Sequence, residues 1–506
     1  MKKLFTMLAV CLCGTMAYAQ TGAISAKDVA VAKGGSAQME VAINNASSKT
    51  AFQFDLKLPA KVSVDKASLG DIESNKDAAE GQTRKLLHKL MDASENRYRF
   101  LSYDDGNAAL ADGAKVSIVL KATDDAETAE LTGNDIVVVN PEGESAGAEE
   151  SVSANVKVSE GVGISIGESG KTTFVCAKDL DFSCLTDVKA YIATGYDLKN
   201  GNIWLTRVKD VPANTPIWIK GSKNTTSLIP VGTSTTYYPK NLLVGSATEA
   251  VDIPAEDDNY AGYTLLADGM IIKQAAGITG FPAGKAYLYL PKLVASNVGA
   301  ALNLNLTSYN NTTLVSSVDL DFTNVEGLRA YTVTGFSKNG TIWLTRVNMA
   351  TAGTPLYLKG TAGTSYSIPS AEEKLCYVNM LAGDATNSTA LTPVAGDYTN
   401  YVLIEGKFGK LSVDATFPAG KAYLSIPTSY VPSTSRGNAT MNFSEMESEV
   451  IMVSLKSLEG DGETTGISRV AVESGNDVWY NLSGQRISAP TKKGLYIKNG
   501  KKIVVK

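Results

Sequence analysis

The chain repeats itself. LDFSCLTDVKAYIATGYDLKNGNIWLTRV (180–208) returns as LDFTNVEGLRAYTVTGFSKNGTIWLTRV (320–347), with 16 identities in 28 aligned positions. NLLVG (241–245) returns as NMLAG (379–383), and FPAGKAYLYLP from Phe281 returns as FPAGKAYLSIP from Phe417. The offset stays between 136 and 140 residues. That period is far longer than the ~20–50 residues of a solenoid repeat, so whole domains were duplicated. Within each copy a fainter echo, PANTPIWIKG from Pro212 against PAGKAYLYLP from Pro282, predicts two related hairpin units closing on one core.

Around this duplication the patterning is that of strands. In FQFDLKL (52–58), Phe52, Phe54, Leu56 and Leu58 alternate with Gln53, Asp55 and Lys57, which predicts a strand with one buried face. Similar runs stand at 97–103, 115–121 and 135–139, with Gly, Asn and Asp clusters between them. RKLLHKLM (84–91) reads as a strand paired with 97–103 through the polar turn 93–96. The Glu, Ser, Gly and Ala of 141–160 suggest a strand end and linker. The expected fold class is all-β. An antiparallel sandwich is expected at 20–160, β repeat domains at 161–309 and 310–447, and a linker with a small β tail at 448–506. In that tail, Asn499-Gly500 inside LYIKNGKKIVVK is a hairpin signal.

The first nineteen residues carry Lys2 and Lys3, an apolar run and Ala17-Tyr18-Ala19, the pattern of a secretory signal peptide. An exported protein, extracellular or on the outer cell surface, is expected. No other stretch has the length and apolarity of a membrane span. Without the leader, 45 basic residues face 52 acidic ones, and no basic block offers the Lys/Arg patch that nucleic acid requires. Cys176, Cys184 and Cys376 are too few for a disulfide-built scaffold. Cys176 and Cys184, eight residues apart, read either as a disulfide or as two buried thiols; Ser316 and Asn324 replace them in the second copy.

Motifs that resemble catalytic or phosphate sites do not hold together. GESAG (143–147) fits a nucleophile elbow, but that mechanism needs a helix after the serine and a histidine later in the chain. His88 is the only histidine and precedes it. SIGESGKT (165–172) approaches a phosphate loop but is followed by a strand pattern, and the second copy has no Gly-Lys there. No catalytic residues, metal ligands or cofactor are therefore expected. Asp179-Leu180-Asp181 recurs as Asp319-Leu320-Asp321, and turn, solvent and calcium roles remain open for it. The recurring aromatics are the candidate binding residues: Trp204 and Trp343 in IWLTRV, and Tyr287 and Tyr423 in the FPAGKAY strands. They read either as core residues or as rings for stacking on sugars.

AFQFDLKLPAKVSV (51–64), RYRFLSYDDGN (97–107) and GAKVSIVLKAT (113–123) resemble cohesin-like domains and related carbohydrate-binding β-sandwiches. The resemblance implies a jelly-roll-like sandwich that holds either a dockerin-like protein module or a glycan. VWYNLSGQRI (478–487) with KKGLYIKNGKKIVVK (492–506) resembles the C-terminal tails of secreted Bacteroidetes proteins, some of which are type IX sorting signals. That resemblance implies attachment to the outer surface through the tail. The central repeats resemble uncharacterised all-β modules of the same surface proteins. The leading expectation is a non-catalytic binding or adhesion protein, with a structural spacer second and a glycan-active enzyme last.

Overall fold

The computed structural model describes residues 23–454, apart from 77–80, 147–149, 198–201, 239, 266–270, 292–296, 338–340, 371–374, 431–439 and 446–449, and four short strands between 479 and 505. The signal sequence at 1–19 lies outside the described residues. Two compact units are present, one reaching Lys456 and one from Ser457. Among the described residues the secondary structure is β throughout, with two single 3-10 turns.

The N-terminal part is a sandwich. Its strands are β1 (Ile24–Ala26), β2 (Val29–Ala32), β3 (Ser36–Ile43), β4 (Ala51–Lys57), β5 (Val62–Leu69) and β6 (Ile72–Glu73). They continue as β7 (Arg84–Asp92), β8 (Arg97–Asp104), β9 (Lys115–Ala122), β10 (Ala129–Val139), β11 (Ser145–Ala146) and β12 (Val152–Ser159). One sheet runs β1-β3-β9-β5-β6 and the other β2-β12-β10-β4-β8-β7. The alternation read at 52–58 faces Phe52, Phe54 and Leu56 into the core between them, where Phe54 stacks on Phe100 at 5.1 Å. β7 pairs with β8 as the sequence predicts.

No linker follows the sandwich. The segment read as a linker up to 160 contains β12, which pairs in parallel with β2, and Glu160 alone separates β12 from the next strand, Gly161–Ile166. The junction is tied further by Cys184, whose carbonyl accepts from the Gln38 N–H at 2.7 Å and whose Sγ lies 3.5 Å from the Ala30 N.

Each repeat is built on a central sheet buried on both faces. In the strand Val188–Asp197, every residue but Lys189 is buried. Val188, Ala190 and Ile192 pack toward Ile164 and Ile229, while Tyr191, Ala193 and Tyr196 pack toward Leu243 and Leu288. The central sheet therefore has a core on either side, where the internal echo predicts a single one. Periodicity alone suggests one core because it detects one apolar face, and here both faces are apolar. Repeat 2 follows the same plan, with Ala330 in one core and Tyr331 in the other. It starts earlier than expected. Leu302–Asn305, before position 310, pairs with Ser365–Ile368 and supplies Leu304 to the core.

The repeats exchange strands. Thr236-Tyr237 of repeat 1 pairs with Phe336-Ser337 of repeat 2, and Leu375–Tyr377 of repeat 2 pairs with Gly195, Tyr196 and Asp197 of repeat 1. Each connector thus extends the central sheet of the other copy. After repeat 2, Thr440–Glu445 pairs with the repeat 2 strand Thr341–Val347, and Val450–Ser454 returns to pair with the repeat 1 strand Asn202–Val208. The boundary expected at 447/448 consequently falls within the first compact unit, which ends at Lys456. In the second unit, Gly494–Lys498 and Lys501–Val505 form the hairpin expected from Asn499-Gly500, beside Trp479-Tyr480.

Candidate functional site

The four nominated aromatics serve packing. Trp204 stands opposite Gly195, whose other neighbour in the sheet is Tyr377 of repeat 2. The bare glycine leaves room for the rings to meet across it, and Trp204 stacks on Tyr377 at 5.3 Å with 13° between the planes. Trp343 stands opposite Gly335 and packs against the repeat 1 core that contains Tyr238. A Cβ at Gly335 would meet the Tyr238 ring at 2.7 Å, which requires glycine here. IWLTRV and the TG before it are thus kept because they form the seam between repeats. Tyr287 is buried, contrary to a place on an open face, and lies edge-on to Phe281 at 5.6 Å. Tyr423 lies edge-on to Phe417 at 5.5 Å in the same arrangement. The Phe and Tyr of FPAGKAY are partners of each other.

Cys176 and Cys184 are free thiols, so the disulfide alternative is corrected. Cys176 packs on a repeat 1 core, whereas Cys184 packs on the sandwich core. Of the repeated aspartates, Asp181 and Asp321 lie in short strands, while Asp179 and Asp319 bind backbone amides. Asp179 accepts from the backbone N–H groups of Ala213 (2.7 Å) and Ser234 (2.8 Å), and Asp319 from those of Ala352 (2.8 Å) and Asn297 (3.2 Å). Ser145 lies in β11 opposite Val139, and another strand, β12, follows it. His88 Nδ1 lies 2.8 Å from Ser74 Oγ and 3.2 Å from Asn75 Nδ2, and burial lowers its pKa. The sequence SIGESGKT crosses from Gly161–Ile166 into the strand Lys171–Phe174, as its periodicity predicts.

The surface with the character of a binding site is the outward face of the second sandwich sheet. In register across it run Leu87, Leu101, Gln53 and Val137, one from each of β7, β8, β4 and β10. Leu87 is 39% exposed, and Met91 at the end of β7 is 45% exposed. On one flank, Lys85 lies over the Tyr103 ring at 5.6 Å. On the other flank lies an ion cluster. Arg99 grips Asp55 with two bonds, Nε–Oδ1 at 2.6 Å and Nη2–Oδ2 at 2.9 Å, and Arg97 Nη1 reaches Oδ2 at 2.7 Å. Asp135, in the bulge of β10 with φ 48°, lies 3.3 Å from Arg99 Nη2.

Burial by itself pushes the Asp55 carboxyl up, but the hydrogen bonds and charges of Arg99 and then Arg97 outweigh it and hold the group below the ordinary carboxylate range. Sequence reasoning placed Asp55 correctly on the face opposite Phe54 but left it as a solvent residue. Its side chain is fully covered by the two arginines. The available signal was RYR (97–99), which sets two cations on alternate positions of the neighbouring strand.

No protein-family model matches the chain, and no curated protein matches it. Among solved structures, the chain is similar to a non-cellulosomal cohesin from the hyperthermophilic archaeon Archaeoglobus fulgidus. That match has 16% identity, covers 27% of this chain and 90% of that one, and has a TM-score of 0.20. It is also similar to a cohesin module from a family 33 glycoside hydrolase of Clostridium perfringens. There the identity is 16%, the coverage 28% and 97%, and the TM-score 0.22.

Proposed function

We propose that the chain is an exported, non-catalytic binding protein whose sandwich holds a protein module on the β7-β8-β4-β10 face, while the two repeats form its mount. The observation that carries this reading is the row Leu87, Leu101, Gln53 and Val137 beside the Asp55 ion cluster. Aliphatic side chains flanked by fixed charges suit a protein surface, where aliphatic anchors supply energy and charges set register. A glycan would be expected to call for flat rings, and Tyr103, the ring on this face, already carries Lys85. The spacer reading of the repeats is supported by the strand exchange, which joins the two repeats through shared sheets. Sorting and attachment to the outer surface are assigned to the second unit, from Ser457.

Calorimetric titration of a panel of dockerin modules into the full chain tests the proposal. Binding should appear for at least one module, and Leu87→Glu with Leu101→Glu should weaken it roughly tenfold or more, as for a central anchor. Unchanged affinity in the double variant, or binding to a glycan array with none to the panel, would overturn it.

A further inference from the structure

A second site emerges from a charge arrangement that both repeats keep. In repeat 1, Lys189 stands directly opposite Lys220, and Arg207 stands opposite Tyr191, two residues further along the same strand. In repeat 2 the corresponding residues are Arg329 opposite Lys359, with Arg346 opposite Tyr331. Like charges directly opposite one another weaken a sheet. Sequence around two of these positions has drifted between the copies, from VKAYIA to LRAYTV and from PIWIKG to PLYLKG, yet their cations persist, and Arg207 recurs as Arg346 in the unchanged IWLTRV.

In repeat 2 the three cations line a cleft of about 610 Å³. One wall is the loop carrying Thr323, Asn324, Val325 and Glu326, and the other is the turn at Gly360-Thr361. Tyr366 holds the walls together. Its hydroxyl accepts from the Thr361 N–H at 2.8 Å and donates to the Gly327 carbonyl at 3.3 Å. The positive φ of Gly327, 75°, lets the loop turn back toward that ring. The shape is thus fixed by a buried side chain.

We infer that this cleft binds an acidic sugar unit of an extracellular polysaccharide. The anionic group sits among Arg329, Arg346 and Lys359, where a planar guanidinium matches a carboxylate or sulfate with paired bonds. The hydroxyls and amide of Thr323, Asn324 and Thr361 answer the sugar hydroxyls, Glu326 accepts from them, and Val325 offers an apolar patch for the ring. A carboxylate and a sulfate present the same chemistry to this triad, and the experiment separates them.

The full chain is run by affinity electrophoresis through gels containing polygalacturonate, dextran sulfate or neutral dextran, with polyglutamate as a soluble competitor. Retardation is expected in polygalacturonate, in dextran sulfate, or in both, and absent in neutral dextran; whichever anionic gel retards it identifies the anion. Arg329→Ser with Arg346→Ser, two exposed positions, should weaken retardation roughly tenfold or more without lowering the melting temperature. No retardation in either anionic gel, equal retardation of the double variant, or equally effective competition by polyglutamate would overturn the inference.

Discussion

Asp55 shows how one side chain sets the character of the candidate binding face. Its carboxylate is covered, and its partners Arg97 and Arg99 are about a third exposed, at 27% and 31%. Asp55→Ala would leave two arginines facing each other, and chemical denaturation should register a loss of about 2–4 kcal/mol, less than for a fully buried pair because water screens the arginines. The folded-state pKa of Asp55 is depressed. Its contribution is therefore present above the unfolded pKa and lost as pH falls through the folded one. Asp210 carries the opposite sign. Burial raises its pKa, the hydroxyls of Thr236 and Ser234 counter this, and Asp181, directly opposite in the sheet, raises it again. Its favourable contribution is present below the unfolded pKa and is lost as pH rises through the raised folded value. Asp210→Asn should therefore melt higher than the parent chain at neutral pH, by about 1 kcal/mol of stability, with the gap closing in acid. Thermal melts at several pH values check this.

Among the strands, alternation made β4 legible because Phe52, Phe54 and Leu56 contrast with polar neighbours. The strand Val188–Asp197 was not legible in this way, since a strand buried on both faces loses the contrast on which the reading depends. The FPAGKAY strands lie between these cases. Their apolar set, Ala286, Leu288 and Leu290, faces a core as the alternation indicates, but Tyr287 finds its own partner in Phe281 and is buried as well. The candidate binding face was half visible. Leu87 and Leu101 appear in the sequence as members of two strands, but only register across β7 and β8 makes them a row. Cys184 belongs to this level too, because its loop seals the junction with the sandwich while Cys176 packs elsewhere. Alkylation of the denatured chain without reductant should place an adduct on each of these cysteines; missing adducts would mean that the thiols are paired.

Across the molecule, the duplication could be read from the sequence, but the exchange it supports could not. Trp204 and Tyr377 lie far apart in the chain, and nothing local to either announces the other. The one hint was that IWLTRV is kept while the half-exposed Tyr289 becomes Ser425 in the second copy. The strand pairings Thr236-Tyr237 with repeat 2 and Leu375–Tyr377 with repeat 1, together with both tryptophans, make the two central sheets interdependent. Native-state hydrogen exchange on the full chain, comparing the parent with Trp204→Ala, tests this coupling most directly. The account predicts faster amide exchange in both Val188–Asp197 of repeat 1 and Arg329–Ser337 of repeat 2. Faster exchange confined to repeat 1, with Arg329–Ser337 unchanged, would contradict it.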